Sequence, residues 1–98
     1  MAKYLVLWKV EEDKLPADPT EKKKMLLEAV AMVKQQLKEG LVKDWGQCIG
    51  ESGGYNIVEA KPEEMHSLNA SWMPLVKYTV RPVLTIAEAE KAYKALPG

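Results

Sequence analysis

The 98-residue chain has one cysteine, one histidine, one arginine, no excess charge of either sign and no long apolar run. Each scarcity removes a class of function. With Cys48 alone there is no intrachain disulfide and no cysteine-based metal cluster. With His66 alone, histidine metal sites and nucleophile–base schemes lack a partner, and no paired-carboxylate or Ser-His-Asp pattern replaces them. Fourteen basic residues balance fourteen acidic ones, whereas a nucleic-acid binder gathers a basic excess on one face. The longest uncharged stretch, Met65 to Val76, contains His66, Asn69 and Pro74 and is too short to cross a bilayer. The apolar run Tyr4–Trp8 between Lys3 and Lys9 is too short for the core of a signal peptide. A soluble, cytoplasmic protein is expected, with no nucleic-acid or membrane partner and no cofactor.

What is present is ordinary globular material: 47% hydrophobic and 29% charged residues, enough for one domain over 1–98. Residues 3–10, KYLVLWKV, form a strand with two apolar faces, Leu5 and Leu7 on one and Tyr4, Val6, Trp8 and Val10 on the other. Asp18, Pro19 and Glu21 open a long helix that presents Leu26, Val30, Val33 and Leu37 at helical spacing and stops at Gly40. LVKDWGQCI (41–49) and GYNIVEA (54–60) are two further strands joined by the glycine-rich turn 50–54, which lacks the Lys-Ser/Thr of a phosphate loop. Pro62-Glu63-Glu64 starts a short helix that Pro74 closes, LVKYTVRPVL (75–84) is a fourth strand, and Thr85 with Glu88 caps a last helix. Pro82 assigns the fourth strand to an edge or a bulge. The order β-α-β-β-α-β predicts an α+β, ferredoxin-like domain: an antiparallel sheet in the order 4-1-3-2, its two longer helices on one face, and a C-terminal helix.

The sheet face away from the helices must meet water, a ligand or a partner. A first strand apolar on both sides, with Trp45 on the second strand beside Lys43 and Gln47, predicts that a second copy covers it, so a homodimer is expected. YLVLWKV, the long helix ending KEG, KDWG, GYNIVEA and VRPVL together resemble the dimeric α+β barrel superfamily, including its muconolactone-isomerase-like, YCII-like and antibiotic-biosynthesis-monooxygenase-like families. The resemblance covers the whole chain. It implies two sheets closing a barrel about a cavity, and leaves the activity open.

Trp8, Trp45 and Tyr55 are the candidate walls of a flat, aromatic-lined site at that dimer interface, with Glu59 and Arg81 as its polar anchors and Asn56 and Gln47 as further polar groups. Arg81 shares a face with Lys77 and Thr79, where its fork suits a carboxylate or phosphate; an ion pair with Glu59 is the structural alternative. The haem-degrading relatives use a histidine on the second helix with Trp and Asn partners, but the first strand here carries no Asn, and a solvated surface residue accounts for His66. Cys48 alternates with Gly46 and Val42 as a small buried residue, and Lys22-Lys23-Lys24 is a solvated face. Two functions remain open: a small-molecule-binding protein or cofactor-free enzyme acting on an aromatic or anionic metabolite, and a non-enzymatic dimeric module whose sheet face serves assembly alone.

Overall fold

A computed structural model describes residues 2–98. The elements run β1 (Ala2–Val10), α1 (Pro19–Glu39), β2 (Val42–Gln47), β3 (Gly53–Ala60), α2 (Pro62–Ala70), β4 (Val76–Val83) and α3 (Ile86–Lys94), with a short 3-10 turn at Glu12–Lys14. The four strands form one antiparallel sheet in the order β2-β3-β1-β4, so the α+β, ferredoxin-like layout and the central places of β1 and β3 follow the expectation. Pro82 lies on the edge strand β4, where its missing N–H costs no ladder bond to a further strand.

Helix boundaries follow from capping chemistry. The Asp18 carboxylate accepts the Glu21 amide at 3.4 Å at the start of α1. A reciprocal box fixes α3: the Glu88 amide donates to Thr85 Oγ1 at 3.2 Å and the Thr85 amide to Glu88 Oε1 at 2.9 Å. The bond from the Thr85 amide, with the Thr85 hydroxyl second, holds the Glu88 carboxyl below its usual range, since it favours the ionised form. Beyond its caps α3 is bare. Ile86, Tyr93 and Leu96 are exposed and the helix makes no extensive contact with the sheet.

The inner face of the sheet carries Tyr4, Val6, Trp8 and Val10 of β1 in register with Val58, Asn56 and Gly54 of β3 and with Val76, Tyr78, Val80 and Pro82 of β4. The buried core occupies one part of this face: Tyr4, Val6, Val42, Val58 and Ala60, closed by Met65 of α2. Helix α1 buries no residue completely, and Leu26 and Val30 remain 41% and 43% exposed. It stands off the sheet.

One departure from simple alternation re-aims a key side chain. The β2–β3 register shifts between Val42 and Asp44, so Lys43 is an extra residue in the strand. Strict alternation would put Trp45 beside Lys43; the bulge sends Lys43 and Asp44 outward and turns Trp45 to the inner face with Val42 and Gln47. Cys48 falls beyond the end of β2 and is exposed, not the buried residue that alternation suggested. There a hydrogen bond with Glu51 raises its thiol pKa, followed in weight by desolvation.

Candidate functional site

Between the lifted helix α1 and the inner face lies a cavity of about 230 Å³. The sheet contributes Trp8, Trp45, Asn56 and Tyr78, α1 contributes Leu26 and Val30, and the α2 region adds Leu68, Asn69 and Trp72. All three tryptophans of the chain therefore converge on one space, from β1, β2 and the segment after α2.

The floor is a stacked pair. Trp8 and Trp45 lie with ring centroids 5.4 Å apart and planes inclined by 18°. They sit on β1 and β2, with β3 between them. The stack bridges β3 because Trp8 faces Gly54 there. A Cβ on Gly54 would lie 2.8 Å from Trp8 Cζ2 and would collide with the Gly46 carbonyl, so only glycine leaves room for the indole to reach across. On the outer face Gly46 serves Tyr55 in the same way, since a Cβ there would overlap the phenol ring.

The polar groups of the cavity are few. Trp8 Nε1 and Asn56 Oδ1 are buried and have no hydrogen-bond partner. Gln47 is already engaged, its Nε2 donating to the Glu51 carbonyl at 3.0 Å in the hairpin turn. Asn69 is the one buried polar residue among those described, at 9% exposure. Burial pushes the Tyr78 phenol up to about 12, so it is a neutral hydroxyl throughout the physiological range. Lys22 is the only charged side chain along the lining.

The five residues expected to share one site are divided between two faces. Trp8 and Trp45 line the inner cavity; Tyr55, Glu59 and Arg81 lie on the outer face. The division has a physical cause: alternation along β1 puts Trp8 on the inner face, and the bulge at Lys43 brings Trp45 round to join it over the bare Gly54. On the outer face Tyr55 donates its hydroxyl to Asp44 Oδ2 at 2.8 Å, a bond that, with desolvation, raises the phenol pKa. Glu59 meets Lys43 at 3.9 Å and not Arg81, which is exposed and has no ion-pair partner among the described residues. His66 is exposed, and no group of three or more His, Cys, Asp or Glu side chains converges among the described residues. Tyr78, Asn69 and Trp72 join the site without having been singled out for it. The available signal was Asn69, a polar residue inside the apolar spacing Met65, Leu68, Trp72 of a short helix.

No helix among the described residues is long and apolar enough to cross a membrane. The family described as a domain of unknown function (DUF3303) matches residues 2–97, and the chain belongs to that family. No curated protein matches the chain.

Proposed function

We propose that this DUF3303 domain is a small-molecule-binding protein whose ligand, a flat aromatic compound, lies in the cavity between α1 and the sheet. The carrying observation is the convergence of all three tryptophans on a space that the buried core leaves open. A chain this short has little core to spare, so a half-open cleft of this size beneath a long helix leaves apolar side chains unburied. An apolar cavity of roughly 150 Å³ takes up benzene, so about 230 Å³ suits one ring or two fused rings. Binding is favoured over catalysis because the only titratable groups on the lining are Lys22 and a Tyr78 phenol that stays neutral. Titration with naphthalene, followed by tryptophan fluorescence, tests the proposal. Saturable quenching that is lost in Trp45→Ala is expected, and an unchanged spectrum up to the solubility limit would remove the cavity as a binding site.

For the outer face we propose a second copy of this chain, as in the dimeric α+β barrel proteins that the sequence resembles. One row of that face runs Asp44 (β2), Ile57 (β3), Leu5 (β1), Arg81 (β4): an acid at one edge, two apolar side chains, and an unpaired base at the other edge. A two-fold axis parallel to the strands places β2 of one copy over β4 of the other, and each Arg81 meets an Asp44. An axis across the strands would stack like charges. Light scattering should give twice the 11.0 kDa chain mass. Arg81→Glu should halve it, and adding Asp44→Lys should restore it; a monomeric parent would end this assignment.

A further inference from the structure

The cavity's two orphaned atoms carry more than its shape does. Trp8 Nε1 is a donor without an acceptor, and Asn56 Oδ1 is an acceptor without a donor. Leaving such a group buried and unpaired forfeits its hydration with nothing in return, and buried polar atoms in folded proteins are nearly always satisfied by protein, water or ligand. The two are neighbours. Trp8 pairs across β1–β3 with Gly54 and Asn56 pairs with Val6, so they form a diagonal pair on one face, with Trp45 on the far side of Asn56. Both residues line the same aromatic-walled space, and the two atoms lie buried in its wall.

Building on the cavity as the ligand site, we infer that its ligand is a neutral planar heterocycle with a hydrogen-bond acceptor and a donor close together on its rim, as in an aromatic cyclic amide. The acceptor takes the Trp8 N–H, the donor bonds to Asn56 Oδ1, and the ring plane lies against the Trp8–Trp45 stack. A purely apolar ligand would leave both atoms unpaired. A carboxylate would satisfy Trp8 but bring negative charge against the Asn56 carbonyl oxygen, with only Lys22 on the lining to offset it. Neutral and bifunctional is the class that satisfies both.

Calorimetric titration with three probes of similar size separates the possibilities: 2-quinolone, naphthalene and 2-naphthoate. At roughly 0.5–1.5 kcal/mol per hydrogen bond, two bonds should make 2-quinolone bind about tenfold or more tightly than naphthalene, with 2-naphthoate weakest. Asn56→Leu, close to isosteric, and Trp8→Phe should each reduce the ratio of 2-quinolone to naphthalene affinity several-fold, both affinities being measured in each variant. The naphthalene value also reports whether the variant cavity is intact. Equal binding of 2-quinolone and naphthalene, or a preference that survives both substitutions, overturns the heterocycle assignment and leaves the aromatic cavity standing, with water satisfying the two atoms. Binding by none of the three removes the cavity itself.

Discussion

The two ends of the inner sheet face are built from the same strands and behave as different materials. At the closed end Tyr4, Val6, Val42, Val58 and Ala60 meet Met65, and three of the valines are essentially inaccessible. At the hollow end Trp8, Trp45 and Tyr78 surround a glycine and an asparagine, and α1 rides above them with half-exposed leucine and valine. Small branched side chains tile a pleated surface to crystal-like density, whereas large rigid rings leave gaps unless their neighbours are shaped to them. The chain places its widest rings where they leave a space, and its branched residues where they do not.

The largest effect that would test this contrast comes from the closed end. Met65→Ala removes a side chain only 3% exposed, for which a loss of about 2–4 kcal/mol is expected. In a domain of this size that is a fall in Tm of roughly 10 °C or more. Ala29→Leu, which adds volume to the α1 wall of the cavity, should not lower Tm and should abolish naphthalene binding. Matching losses from both substitutions would mean that the two ends are packed alike. Next in size is Gly54→Ala. Its methyl group meets the Gly46 carbonyl and the Trp8 ring, so it should cost roughly 1–3 kcal/mol and erase the circular-dichroism couplet of the stacked indoles. A retained couplet would show that the stack does not depend on the bare glycine.

The strand order, the helix caps, the edge position of Pro82 and the two-sided apolar character of β1 were all readable from residue types and spacing, because each is a local signal that tertiary contacts reinforced. The cavity was readable only in part. Trp8 and Trp45 were recognisable as a pair of flat walls, but the face of Trp45 depended on a single extra residue at Lys43, and a one-residue slip inverts every side chain that follows. The gap itself leaves no trace in periodicity. Leu26, Val30 and Val33 have the spacing of a tightly packed helix, and only the three-dimensional standoff shows that they do not fill the space beneath them.

A third, smaller effect distinguishes the hollow end by pH. The raised pKa of Tyr78, about 12, comes from burial, so the folded state keeps a proton that the unfolded chain releases near pH 10. Between those values the unfolded state binds fewer protons, and stability must fall as pH rises. Tyr78→Phe should flatten the part of that decline above about pH 10 due to this residue, as seen in Tm measured against the parent. An identical alkaline slope in the variant would place Tyr78 in contact with solvent.

The smallest effect belongs to the outer face and serves as its control. Tyr55 also has a raised pKa, but its first cause is the hydrogen bond to Asp44, with desolvation second. Cause therefore separates the two phenols more cleanly than direction does. Asp44→Ala removes the acceptor and the nearby negative charge, so the Tyr55 transition should move down towards the ordinary phenol range, while the Tyr78 transition stays where it is. Tyrosinate absorbance resolves the two, with Tyr55→Phe identifying the component that moved. Because Asp44 and Tyr55 lie across the sheet from the cavity, naphthalene affinity should be untouched. A change in that affinity would mean that the two faces communicate through the β2 bulge, since Asp44 Oδ1 also accepts the Trp45 amide at 2.9 Å.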